Sequence, residues 1–118
     1  MLKDLVIWKK LKDLHAYVVT VLAHYPKSER FTLGDRTQNS VLKMAELTVR
    51  ANIARDKREL IHELEVELEV FRFLTDTALD LKILSMHQHE QIAERTVELG
   101  RLIGGWKRRF APDDESSL

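Results

Sequence analysis

Residues 63 to 70 read Glu63-Leu64-Glu65-Val66-Glu67-Leu68-Glu69-Val70, a strict alternation of acidic and apolar side chains. Taken alone, that alternation has the period of a half-buried strand. The flanking sequence argues against a strand. From Lys57 to Leu84 the chain contains neither Gly nor Pro, a run longer than ordinary strands, and Glu is depleted from strands. A helix with apolar residues on two sides produces the same local alternation. At about 100° per residue, Ile61, Leu64, Leu68, Phe71, Thr75 and Ala78 form one stripe. Val66, Val70, Phe73, Leu81 and Leu84 form a second stripe, roughly 150° away. The segment is predicted to be helical.

The same helical period extends outward on both sides. Ile7, Leu11, Leu14, Val18, Val21 and Tyr25 recur at spacings of four and three, which predicts a first helix over about Leu2 to His24. Pro26 ends it, and Pro26-Lys27-Ser28-Glu29 reads as a short turn. A second helix is expected from about Phe31 to Ala54, with Leu33, Val41, Met44, Leu47 and Ala51 inward and a polar middle at Thr37-Gln38-Asn39-Ser40. After Ser85, which suits a cap, the last helix covers about His87 to Arg109. Its seam is Ile92, Thr96, Leu99, Ile103 and Trp106, and Gly104-Gly105 is expected to fray it. Four helices with short links predict an all-α, up-down-up-down four-helix bundle over residues 1–110. Residues 111–118, including Pro112, Asp113, Asp114 and Glu115, read as a disordered acidic tail.

Composition supports one domain. The 118 residues are 44% hydrophobic and 32% charged, with four Gly and two Pro, too apolar for disorder and too poor in breakers for a many-stranded sheet. The absence of Cys rules out a disulfide framework. No apolar run approaches the length that crosses a bilayer. Met1-Leu2-Lys3-Asp4 does not read as a signal peptide, so a cytoplasmic setting is expected, with no membrane partner.

One core cannot bury both stripes of the third helix. The first helix repeats the pattern with Trp8, Val19 and Leu22 off its seam. Continuous second stripes of this kind mark contact sites. Trp8, Val66, Val70, Phe73 and Leu81 are therefore the expected oligomer interface, with Phe31 expected to pack on the core beside Tyr25.

Charge is distributed unevenly. Nineteen Lys+Arg balance nineteen Asp+Glu, yet an up-down topology gathers three basic segments at one pole. Lys3, Lys9, Lys10 and Lys12 come from the first helix, Arg50, Arg55, Lys57 and Arg58 from the link between the second and third. Arg101, Lys107, Arg108 and Arg109 come from the end of the fourth. Against Asp4 and Asp56, these twelve make about +10, leaving about −10 elsewhere. Some of these cations suit helix C-termini. The remainder, among Lys9, Lys10, Lys12, Arg50, Arg55, Lys57, Arg58, Arg101, Lys107, Arg108 and Arg109, form the expected footprint of a nucleic-acid backbone. Aromatic residues interleave with them only at Trp8, Trp106 and Phe110, so base-specific readout is not indicated.

Signatures of catalysis are missing. Glu59-x-x-His62 is half of a di-iron bundle motif without its second copy. His87-x-His89 offers two metal ligands at a helix start, and His62-Glu63 lacks the second His of a zinc-protease helix. Ser28 and Ser40 have no base nearby in sequence. The reading is a protein that is not an enzyme, with no catalytic residue, metal or cofactor.

Two motifs carry a resemblance. Tyr25-Pro26-Lys27-Ser28-Glu29-Arg30-Phe31-Thr32-Leu33-Gly34 resembles the helix 1–2 junction of four-helix proteins encoded in ribosomal-RNA intervening sequences. Their relatives, the accessory variability determinant (Avd) proteins of diversity-generating retroelements, share it. Glu98-Leu99-Gly100-Arg101-Leu102-Ile103-Gly104-Gly105-Trp106-Lys107-Arg108 resembles the Avd ending in particular, where Gly100 and Gly104 suit close helix approach. The resemblance implies a homopentameric barrel that partners the retroelement reverse transcriptase and binds template RNA and DNA during mutagenic retrohoming. Retroelement-type members tend to be basic overall, whereas this chain is neutral. The alternative within the resemblance is an intervening-sequence-type protein that binds RNA, or acts as a structural oligomer, without a reverse transcriptase.

Overall fold

The computed structural model describes residues 5–110, and within them the chain is four long helices and no strand. Helix α1 is Val6–Leu22, α2 is Asp35–Ile53, α3 is Arg58–Asp80 and α4 is Met86–Arg109. Helices α1 and α2 pack together, as do α2 and α3, α3 and α4, and α4 and α1. That closed cycle of antiparallel neighbours is the up-down-up-down bundle. Lys3, Asp4 and the acidic tail lie outside the described residues.

The alternating segment is helical, and its burial shows why the alternation arose. Ile61, Leu64, Leu68, Phe71, Thr75 and Ala78 are all buried in the core, while Val66 and Phe73 are exposed and Val70 is partly so. The seams of α1 and α4 and the inward residues Val41, Met44, Leu47 and Ala51 of α2 complete the core. The polar middle of α2 is accommodated by hydroxyls that bond either within the helix or across to α3. Thr37 Oγ1 donates to the Leu33 carbonyl at 2.7 Å, and Ser40 Oγ donates to Glu67 Oε2 of α3 at 2.7 Å. Buried Thr48 and Thr75 likewise return their hydroxyls to helix carbonyls one turn back.

The junction between α1 and α2 is more regular than a plain turn. Pro26 precedes a single helical turn, Lys27–Glu29, which runs into a π-helical segment, Arg30–Gly34, and then into α2. Arg30 Nη2 donates to the carbonyls of Ala23 and Tyr25 at 3.3 and 3.4 Å, satisfying the end of α1. Gly34 is buried here, and a Cβ on it would stand 3.3 Å from the Glu29 carbonyl oxygen and 3.6 Å from Tyr25 Cδ2. The glycine of the junction motif thus allows α2 to start against Tyr25. Burial pushes the Tyr25 hydroxyl up to about 12.

Four expectations are corrected. Phe31 does not pack on the core; it is 71% exposed. Counted at about 100° per residue, position 31 lies roughly 80° from Val41 and about 160° from Leu47 and Ala51, and Leu33 and Gly34 take the inward places. Leu84 does not belong to the exposed stripe, being 2% exposed. Helix α3 ends at Asp80, Lys82 adopts a φ of 61°, and the Ile83 and Leu84 amides both donate to the Ala78 carbonyl, folding Leu84 back onto the core. Leu22 is buried as well, because the start of α2 covers the last turn of α1. Finally, α4 does not fray at Gly104-Gly105 but continues to Arg109, with Trp106 buried beyond the pair.

The start of α4 follows expectation. Ser85 Oγ accepts from the Gln88 amide and Gln88 Oε1 accepts from the Ser85 amide, both at 3.0 Å, a reciprocal capping box.

Candidate nucleic-acid interface

Three sequence-distant basic segments do converge at one end of the bundle. Helices α1 and α4 run antiparallel in register through Lys10 Nζ to Glu98 at 2.7 Å and Arg95 Nε to Asp13 at 2.9 Å. Arg95 also lies 4.5 Å from the centre of the Tyr17 ring. At the tip, Leu5, Val6 and Ile7 line a cleft with Leu102, Trp106 and Arg109. The link between α2 and α3 joins them through Lys57, whose ammonium stands 5.7 Å from the centre of the Phe110 ring, while Lys107 Nζ reaches Glu65 within α3 at 3.0 Å.

The cations at this end divide by what already holds them. Lys57 is committed: its ammonium donates to the carbonyls of Ala51, Asn52 and Ala54 at 2.8–3.1 Å, capping the C-terminus of α2. Lys10 pairs with Glu98, Arg50 with Glu46, Arg58 with Asp56 and Lys107 with Glu65. The Arg58 side-chain hydrogen bond, supported by its backbone amide, holds the Asp56 carboxyl down to about 2. Arg50 and then Lys43 lower Glu46, and Glu98 raises Lys10. The exposed Lys9, Lys12, Arg55, Arg101, Arg108 and Arg109 make no ion pair among the described residues. Arg109 stacks on Phe110 at 5.4 Å.

The five side chains expected at an oligomer interface occupy two separate faces. Val66, Val70 and Phe73 lie on the outward side of α3, and Leu81 continues that side at the exposed end of the helix. Trp8 lies elsewhere, at a groove between α1 and α2 lined by Leu11, Lys12, His15, Val41, Leu42 and Ala45. Sequence reading singles out neither His15 nor the tie that Phe110 makes to Lys57. An isolated aromatic after a basic run, or one His within a helix, carries no periodic signal.

The pair at Glu59 and His62 opens on solvent beside Asp56 and Arg58. His89 Nε2 is 2.8 Å from Asp76 Oδ1, tying the start of α4 to α3. Among the described residues, no three His, Asp or Glu side chains are grouped to hold a metal ion, and no helix is long and apolar enough to cross a membrane.

The architecture defines a single-bundle helical protein with one cationic end and an apolar side. A family model described as bAvd-like matches residues 5–110, the whole of the described bundle, and the chain belongs to that family. No curated protein matches it.

Proposed function

We propose that the chain is a non-enzymatic accessory protein of a diversity-generating retroelement. It works in the cytoplasm as a homo-oligomeric scaffold, a homopentameric barrel. The scaffold holds the reverse transcriptase and the template RNA and DNA during mutagenic copying. The observation that carries this reading is membership of the bAvd-like family across the entire bundle. Two features of the surface support it. Apolar side chains on the outside of α3 suit a protein partner, and cations at one end that make no ion pair among the described residues suit phosphate.

The chemistry proposed is positioning. Phosphate contacts from Arg and Lys fix orientation without reading sequence, which is what a scaffold for template copying needs. Co-expression with the retroelement reverse transcriptase tests the proposal. The two should co-purify, and RNA should be retained at low salt and lost at high salt. A reverse transcriptase that fails to co-purify and copies its template fully without this protein refutes the proposal. Retention of RNA in that case would favour the intervening-sequence type of role.

A further inference from the structure

The groove between α1 and α2 is small, about 170 Å³, with Val41 and Leu42 on its α2 side and Trp8, Lys12 and His15 on its α1 side. These three residues are four and three apart, so they share one strip of α1. His15 Nε2 is the one buried side-chain nitrogen or oxygen without a hydrogen-bond partner among the described residues. A buried polar atom of this kind calls for a partner, and the groove lets one enter from outside the chain. The charge beside it is positive. Lys12 is exposed and, like Lys9 on the next strip of α1, makes no ion pair among the described residues. On α2 the carboxylate one turn from Leu42, Glu46, is shared by Arg50 at 2.9 Å and Lys43 at 3.8 Å. Asp35 stands two turns from Leu42 along α2, about 10 Å away, and Asp13 turns to Arg95 of α4.

We infer that this groove takes one unpaired base of a single-stranded nucleic acid. The base enters beside Trp8, its polar edge meets His15 Nε2, and Lys12 holds the adjoining phosphate. The inference deepens, and rests on, the phosphate-binding reading above: α1 begins at the cationic end and leads past Lys9 into the groove. Size, hydrogen bonding and charge select the occupant. The volume falls below the roughly 300–1,000 Å³ of pockets for drug-sized ligands, which leaves room for a single ring system. An aliphatic side chain from a protein partner would fill the space but leave the ring nitrogen unsatisfied, which is costly. A base edge carries donors and acceptors together, so it satisfies the imidazole in either tautomer. Bases also stack on aromatic side chains, and the phosphate that comes with each one suits Lys12. A duplex keeps its bases paired and cannot enter. Stacking and one hydrogen bond tolerate different bases, so the groove selects single strands without reading their sequence.

Fluorescence anisotropy with two labelled probes tests this: an oligothymidylate, and an abasic oligomer of the same length and charge. Wild type should bind the oligothymidylate on the order of tenfold more tightly, as stacking of one base on an aromatic side chain gives. Trp8→Leu and His15→Leu, checked as helical by circular dichroism, should each lose most of that preference while keeping their affinity for the abasic oligomer. In NMR spectra of the wild type, the His15 ring signals should move on adding the oligothymidylate and stay in place with the abasic oligomer. That measurement decides the matter even if a variant fails to fold. Equal binding of the two probes by wild type overturns the inference while leaving the phosphate reading standing. A preference that survives in both variants places the base elsewhere and also overturns it. Variants that bind both probes as wild type does, but lose the reverse transcriptase or fall to a lower mass in light scattering, assign the groove to a protein and overturn it too. A wild type that binds neither probe removes both readings.

Discussion

The ammonium of Lys57 lies 5.7 Å from the centre of the Phe110 ring, which ties the link between α2 and α3 to the end of α4. The same ammonium caps α2 through three carbonyls. A residue counted among the basic cluster from sequence is therefore a structural tie. Lys57→Met should lower stability by about 1.5–3 kcal/mol, the range for hydrogen bonds to a charged group. Urea denaturation measures this. Its effect on RNA binding, compared at a temperature where both proteins are folded, should be small. A loss of binding as large as that from removing Arg108 and Arg109 would return Lys57 to the interface.

Arg108 and Arg109 make no ion pair among the described residues, whereas Arg50 and Arg58 are held by Glu46 and Asp56. Replacing Arg108 and Arg109 by Ala should weaken RNA or DNA binding and flatten its log–log salt slope by roughly 0.7–0.9 for each phosphate no longer neutralised. Replacing Arg50 and Arg58 should change the slope less. Gel shifts over a salt series compare the two. Equal slopes for both double variants would show that the ion pairs do not decide which cations are available.

Phe31 and Phe71 are both phenylalanines in helical segments, and their surroundings set opposite expectations. Phe31 is mostly exposed, and Phe71 is completely buried. Phe31→Ala should shift stability by no more than about 0.5 kcal/mol, and Phe71→Ala should cost about 3–5 kcal/mol. Thermal melts of the two variants check both. A large loss at Phe31 would mean that the oligomer covers it.

Gly104 and Gly105 sit inside a continuous helix. A Cβ on Gly104 would approach only the end of Arg108 at 3.5 Å, and one on Gly105 the same side chain at 3.8 Å. Gly104 is therefore not a point of close helix approach, unlike Gly100, where a Cβ would stand 3.2 Å from Arg72 Nη2 and 3.6 Å from Leu68 Cδ2. Alanine at 104 or 105 should raise stability by about 0.5–1 kcal/mol each through helix propensity. Urea midpoints give the comparison. A stabilised variant with lower mass in light scattering would place this part of α4 in an interface between copies.

Asp56 is held at about 2 by its hydrogen bonds from Arg58. Because its folded value lies below the usual carboxylate range of about 4, the pair favours folding above that range. The contribution fades as pH falls from about 4 toward 2. Side-chain NMR titration should find the Asp56 midpoint near 2, moving up toward 4 in Arg58→Ala. A wild-type midpoint near 4 would show the exposed pair to be open in solution.

The sequence by itself determined that the chain is a four-helix bundle and which side of each helix faces its core. The reason is that burial repeats with the helical period. Ile61 to Ala78 of α3 and Ile92 to Trp106 of α4 are bound to point the same way wherever the helices lie. The family was also legible, in the junction motif ending at Gly34 and the Gly-Gly-Trp ending at Trp106. Only the tertiary structure decided how the bundle's surface is used. Charge in a sequence does not say which carboxylate or carbonyl will hold it, so Lys57 and Arg108 look alike until α2 ends beside one and solvent beside the other. Period also fails where helices stop. Leu84 returned to the core because Lys82 reverses the chain, and Trp8 parted from Val66 and Phe73 because neighbouring helices define a groove that no single helix contains.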